Sequence, residues 1–424
     1  MLKTLRNAWH IPELRKKLIF TILIMLLYRI GNVIPVPYVD VDVLSTYFNS
    51  TLSDTILGLY DAMSGSAFSS ATILALSIQP YINSSIIIQL LTIAIPALER
   101  LSKEGGEEGK KKINMITRFT TVGLGLLMGW AYFMMLKNAG GIITDSSFLA
   151  AVVIILTFTA GSTAVMWLGE QITEHGIGNG ISMILFANII SRLPSMLNTL
   201  IGMANPTQWW MIIVVTIGVA ALIVLIVFVN DAERRIPVQY AKRVVGRKVY
   251  GGQSTNLPIK VSMTGVMPVI FAQSIVSLPA TICAFGGWTN SWAYKNLFDS
   301  SSWIYAGFYF LLIFFFSWFY ATIQYDPVEI SNNMKKNGGF IPGFRPGKPT
   351  ADFIKKVINK IVIFGAVYLG IVALLPIVAG NLMAGVKNLA IGGTSVIIVV
   401  SVALETVKAL EAQMLMRHYK GFLD

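Results

Sequence analysis

Apolar residues run through this chain in ten long blocks, separated by polar connections that carry most of the charge. The blocks cover 18–34, 72–98, 116–136, 148–168, 181–200, 209–229, 261–285, 303–323, 357–378 and 391–415, close to the roughly 20 residues a helix needs to cross a bilayer. The pattern predicts an all-α polytopic membrane protein with ten transmembrane helices. The stretch 64–96 stands apart because it has no charge and yet is too polar for a helix wrapped in lipid. At helical spacing Ser77, Tyr81, Ser85 and Gln89 form one stripe, and Ile78, Ile82 and Ile86 form another about 100° around the axis. Upstream, 57–70 (LGLYDAMSGSAFSS) is too short and too rich in Gly and Ser to span, which predicts a half-helix or a loop folded into the membrane under protein cover. A pathway through the membrane accounts for this pair of segments. So does an internal bundle helix joined to its neighbours by Ser and Gln bonds.

Charge placement predicts orientation. Of 33 Lys and Arg residues, 28 fall on one side if both termini are cytoplasmic, leaving Arg29, Lys137, Arg192, Lys295 and Lys387 for the other. A bias this large puts both ends inside, so the net charge of +12 is chiefly a topology signal. Residues 1–17 form a cytoplasmic N-terminal segment, and the first span is expected to serve as the insertion signal. A split near Pro206 gives halves 18–205 and 206–424 of five spans each. An odd number of spans makes any structural repeat an inverted one. The seventh span is the polar helix of the second half, with Gln273, Ser274 and Ser277 and with Pro268 and Pro279 as kink points.

Two inner connections, 230–260 and 324–356, are long for a compact protein. The first alternates apolar and polar residues around Val244, Val245, Val249 and Tyr250, which predicts a β-hairpin protrusion. The second carries GFRPG at 343–347, a turn that presents Arg345 outward. Basic protrusions of this kind fit docking of a large acidic partner.

Catalytic and cofactor signatures are missing from the sequence. GGEEGKKK at 105–112 fails the phosphate-loop pattern at Glu104 and Lys111, and GIGNG at 176–180 fails the dinucleotide fingerprint. The lone Cys283 reads as a packing residue, and the three histidines are too scattered for a metal site. Glu405, Lys408 and Glu411 read as an ion-paired face at the end of the last span rather than a proton relay. The chain is expected to bind or conduct, without enzymatic activity and without a cofactor.

Five segments carry a family likeness: IQPYINSSIIIQLL, GEQITEHGIGNGIS, YAKRVVGRKVYGGQSTNLPIKV, GGFIPGFRPGKPT and GGTSVIIVV. In order and spacing they resemble SecY, the pore subunit of the bacterial protein-secretion translocon. The resemblance implies two five-helix halves around an hourglass channel in the plasma membrane that passes unfolded preproteins and releases apolar segments sideways into phospholipid. It implies a pore ring of Ile78, Ile82, Ile181, Leu185, Ile270 and Ile398. It also implies a plug over 57–70 (Leu57, Tyr60, Met63, Gly65, Phe68) and a lateral gate with Ser85, Gln89, Gln273 and Ser274. Arg247, Lys248 and Arg345 are implied as docking positions for the motor SecA or a ribosome, with SecE and SecG as small subunits and the number of copies, including a homo-oligomer, left open. Ser77 and Gln79 depart from the Gly and Met common in the family, and Leu185 from a usual isoleucine. An inverted-repeat solute transporter and a ribosome-recruiting scaffold are the other readings, and neither explains both the polar stripe and the basic loops.

Overall fold

The computed structural model describes residues 2–420 except 53–55, 104, 146, 196–197, 199–208, 241–242, 246–247, 251–253, 264, 286–290, 293, 299–301 and 383–392. Each of the ten expected blocks contains a helix. The first half comprises α1 (Leu2–His10), α2 (Pro12–Gly31), α3 (Val41–Tyr47), α4 (Ile56–Ser64), α5 (Gln79–Ala94), α6 (Pro96–Lys103), α7 (Gly106–Ala139), α8 (Phe148–His175) and α9 (Gly180–Ser191). The second comprises α10 (Trp209–Asp231), α11 (Met267–Phe285), α12 (Trp303–Gln324), α13 (Pro327–Lys336), α14 (Lys348–Leu382) and α15 (Gly393–Lys420). Side-chain caps start several of them. Asp40, Ser147, Asn179, Ser302 and Asp326 each accept from backbone N–H groups in the first turn, satisfying donors that have no intrahelical partner.

Helix boundaries differ from the sequence reading in four places. The second block does not run as one helix over 72–98. Residues 72–78 form turns, Ser77 sits at φ 49°, and α5 begins only at Gln79 with Pro80 in its first turn. Ser77 therefore leaves the stripe predicted for it. At the other end the chain bends by 105° between α5 and α6, at Pro96, where a proline ring cannot continue the preceding helix. Pro268 lies in the first turn of α11, where a missing N–H costs nothing, so only Pro279 is inside that helix. The described part of α9 is 12 residues, shorter than the predicted 181–200. Among the described residues, five helices are long and apolar enough to cross a membrane alone, and α5 with α6 make a sixth when counted together. α2 falls short because Arg15, Lys16, Lys17 and Arg29 interrupt its apolar run.

The first long connection forms β1 (Glu233–Tyr240), β2 (Arg243–Val245), β3 (Lys248–Tyr250) and β4 (Ser254–Lys260). β1 pairs antiparallel with β4, Glu233 opposite Lys260, and β2 pairs with β3 as a smaller hairpin beyond it. The second connection contributes β5 (Gly339–Phe340), which adds to the free edge of β1, with Gln239 opposite Phe340. The two loops thus share one sheet ordered β4-β1-β5. Ile236, Val238 and Ile259 on its buried face pack with Met334, Ile341, Ile354 and Ile358.

Two larger apolar clusters fill the helical body. One is central and draws on both halves, from Ile24 on α2 to Val402 on α15. The other lies within the first half and is rich in aromatic rings, stacking Phe68, Tyr132 and Phe158 with Tyr60 alongside. The halves meet along two seams, α11 against α5 and α7 on one side and α15 against α9 on the other.

Candidate functional site

Four of the five helices at these seams carry the six aliphatic residues of the expected ring. Ile78 caps the start of α5 and Ile82 follows one turn later; Ile181 and Leu185 occupy the first turns of α9; Ile270 is on α11 and Ile398 on α15. Ile78, Ile82, Leu185, Ile270 and Ile398 belong to the central cluster, and Ile181 is partly buried against it. The cluster has many other members, among them Tyr305, Tyr309 and Val372. Branched aliphatic side chains offer water and ions no hydrogen-bond partner, so a constriction built from them sheds water.

Local chemistry places α9. Asn179 accepts from the N–H groups of Ile181 and Ser182 at 3.0 and 3.4 Å. Ile177 N–H donates to Thr21 Oγ1 at 3.2 Å. Gly180 lies against the backbone of α8, where a Cβ would come 1.8 Å from the Gly169 carbonyl oxygen. The GIGNG run is therefore a tight corner that brings Ile181 and Leu185 to the central cluster.

Leu57, Tyr60, Met63, Gly65 and Phe68 are all described, and their segment is folded into the body. Leu57, Tyr60 and Phe68 are in the aromatic cluster, while Met63 reaches the central one. Tyr60 donates to the Leu76 carbonyl at 3.0 Å, and the Tyr132 hydroxyl donates to the Phe68 carbonyl. α4 contacts both α9 and α11, so it touches each half near the ring.

Polar residues converge on this segment, among them the two arginines, Arg29 and Arg192, that charge placement had assigned only to the outer side. Asn188 Nδ2 donates to the Met63 carbonyl at 2.7 Å, Asn32 Nδ2 to Ser64 at 3.3 Å, and Arg29 Nη1 to Gly65 at 3.4 Å. Asp61, almost fully buried, faces Arg192 Nη1 across 3.4 Å, an ion pair without hydrogen-bond alignment. Its other oxygen accepts from Ser69 N–H at 2.8 Å. Asn188 also donates to Ser77 Oγ at 3.3 Å, and Ser77 shares a hydrogen bond with the Tyr28 hydroxyl at 3.1 Å. The available signal was two isolated arginines on the side that holds few cations, matched by one acid in a segment otherwise free of charge. Nothing in the spacing linked them.

The expected gate residues separate into two groups. Gln273 and Ser274 on α11 are buried, and Gln273 Oε1 and Ser274 Oγ have no hydrogen-bond partner among the described residues. Ser85 is half-buried, but Gln89 is exposed and donates to Ser85 at 3.5 Å. Gln89 therefore satisfies its amide on its own helix instead of reaching α11. Gln79, next to Ile78, is buried, and its Oε1 has no hydrogen-bond partner among the described residues.

Of the docking positions, Arg247 lies outside the described residues and Lys248 begins β3. Arg345 is exposed on a turn held by Thr350 Oγ1, which donates to its carbonyl at 2.8 Å, and by Ser331 Oγ, which donates to the Gly347 carbonyl at 2.9 Å. Gly343 and Gly347, at φ 89° and 105°, permit that turn.

Comparison with known proteins agrees with this architecture. The SecY family model matches residues 72–407. The protein translocase subunit SecY of Streptomyces scabiei is 44% identical over 437 aligned positions that cover all of both chains. Among solved structures, a protein-conducting channel superposes with a TM-score of 0.67 at 19% identity, covering 94% of this chain and 92% of that one. Sec61 in the canine ribosome–channel complex from the endoplasmic reticulum gives 0.63 at 19% identity with the same coverage. The structural matches establish a shared fold, and the full-length sequence match establishes kinship: the chain belongs to the SecY family.

Proposed function

We propose that this chain is the pore subunit of a membrane protein translocase, conducting unfolded polypeptide between its two halves. The observation that supports the reading is that five of the six aliphatic side chains, from four helices, belong to one central apolar cluster and the sixth packs against it. In this reading they form the ring, a collar that dewets when empty and deforms around a threaded chain. The segment 57–70 is the plug on the outer side of the ring. The seam of α5 and α11 is the lateral gate, through which apolar segments pass into phospholipid. Few and weak polar contacts suit a seam that must part, since interhelical hydrogen bonds in membranes average about 0.6 kcal/mol.

The halves 18–205 and 206–424 act as inverted five-span units, with both termini cytoplasmic in a bacterial plasma membrane, as the placement of 28 of 33 basic residues supports. Translocation draws its energy from outside the chain. Arg345, with Arg247 and Lys248, lies on the connections read as cytoplasmic and serves there as the contact for SecA or a ribosome, while SecE and SecG complete the complex. The ribosome-bound state of the Sec61 relative supports the ribosome as one such partner.

The deciding experiment is site-specific photocrosslinking from position 82 to a preprotein stalled during export. A polypeptide adduct at Ile82, absent from a lipid-facing control at Leu26, is the expected result. Adducts at Leu26 alone would sink the reading.

A further inference from the structure

α4 ends in a glycine-based turn, with Gly65 at φ 70° and Ser66 N–H donating to the Asp61 carbonyl at 3.0 Å, and three further carbonyls at this end are held from outside the segment. A helix leaves its last four carbonyls without intrahelical partners, and a glycine-based turn commonly satisfies some of them locally. Here the carbonyls of Met63, Ser64 and Gly65 accept from Asn188, Asn32 and Arg29, side chains of two other helices. The negative end of the α4 dipole thus faces Arg29. Arg192, one turn beyond Asn188 on the same face, adds a charge opposite the buried Asp61. Gly65 threads between these groups. Its φ is 70°, and a Cβ there would lie 2.9 Å from Arg29 Nη1 and 3.0 Å from Asn188 Oδ1.

We propose that Asn188 on α9 and Arg192 at its C-cap, with Arg29 on α2 and Asn32 at its C-cap, are positioning residues that latch the plug shut, and that Asn188 couples the latch to the ring. This inference rests on the reading of α4 as a plug. The coupling follows from sequence neighbours: Asn188 holds Met63 on the plug and Ser77, the residue before Ile78. It also stands three residues after Leu185. A chain that pushes Ile78 and Leu185 apart pulls Ser77 and Asn188 with them, so widening the ring weakens the hold on the plug. The departure at Ser77 acquires a role here. Its left-handed backbone would relax in glycine, but glycine would remove the hydroxyl that ties Asn188 and Tyr28 to the ring's first residue.

The latch is tested by ion conductance of the full chain, with the subunits that purify with it, in planar bilayers without substrate. Removal of residues 57–65 is the reference for an unplugged molecule and should leak strongly. Asn188→Ala should raise the open fraction by up to about tenfold, the population change of one lost hydrogen bond. Arg192→Gln should raise it further, on the order of a hundredfold, because it strands the buried carboxylate. Arg192→Lys should restore closure, and Asp61→Asn with Arg192→Gln should leak less than Arg192→Gln alone. Thermal unfolding of each purified variant separates leakage from misfolding, and Asn188→Ala, which strands no charge, keeps the test open if Arg192→Gln does not fold. Tight Asn188→Ala and Arg192→Gln channels beside a leaky 57–65 deletion would overturn the latch and leave the plug. A double variant as leaky as Arg192→Gln would remove the ion pair from it. A tight deletion would overturn the plug reading itself.

Discussion

Substituting Gly180 by Ala adds one methyl group at the place where α9 leaves α8. That methyl would lie 1.8 Å from the Gly169 carbonyl oxygen, 2.7 Å from its carbon and 3.0 Å from Ile172 Cβ. These are backbone or near-backbone atoms that no rotamer change removes. The first turn of α9 must therefore retreat until the 1.8 Å approach opens to the 3.0 Å that real contacts respect. Overpacking of this kind costs about 1–3 kcal/mol, and the turn that moves carries Ile181 and Leu185. A matched control is Gly123 on α7, where an added Cβ meets nothing within 4 Å. There, Gly→Ala should gain about 0.5–1 kcal/mol by helix propensity. Unfolding midpoints in detergent, followed by tryptophan fluorescence, should fall for Gly180→Ala and hold or rise for Gly123→Ala. Conductance in bilayers should increase only for the first. Equal midpoints for the two variants would refute the claim that Gly180 is required by close approach, and with it the account of how α9 is placed.

Two further outcomes are expected. Replacing Ile78, Ile82 and Ile270 together by Ser should raise conductance well beyond any single change, because hydroxyls rewet the constriction; unchanged ion flux in bilayers would count against a ring at these positions. Arg345→Glu should block export in a reconstituted preprotein assay. Its midpoint should stay within about 0.5 kcal/mol of wild type, as surface changes usually do, and normal export would remove Arg345 from the docking face.

Helices and strands were legible in the sequence to different depths. Length and hydropathy placed a helix in every apolar block, and the alternation around Val244 and Val249 marked the hairpin of β2 and β3. The end points of the second block were harder, although Pro80 and Pro96 were in view: hydropathy treats 72–98 as uniform, and only backbone sterics break it. β5 was invisible because two residues show no alternation and its partner β1 lies a hundred residues upstream. The latch was missed for the same reason. Arg29, Asp61 and the pair Asn188 and Arg192 are far apart in the chain, and a charge-placement rule treats the arginines as topology markers. Helical spacing put Gln89 on the polar stripe and the family resemblance put it at the gate, but neither can tell whether an amide turns to a neighbour or back to Ser85.

The sheet that joins the two protrusions has a mechanical consequence. β1 continues directly from α10, β4 leads into α11, and β5 stands between α13 and α14. A load gripped at the Arg345 turn is therefore not absorbed by a slack tether. Through β5 it would reach the ladder of β1 and β4 and so the root of α11, the helix proposed above as one jamb of the doorway.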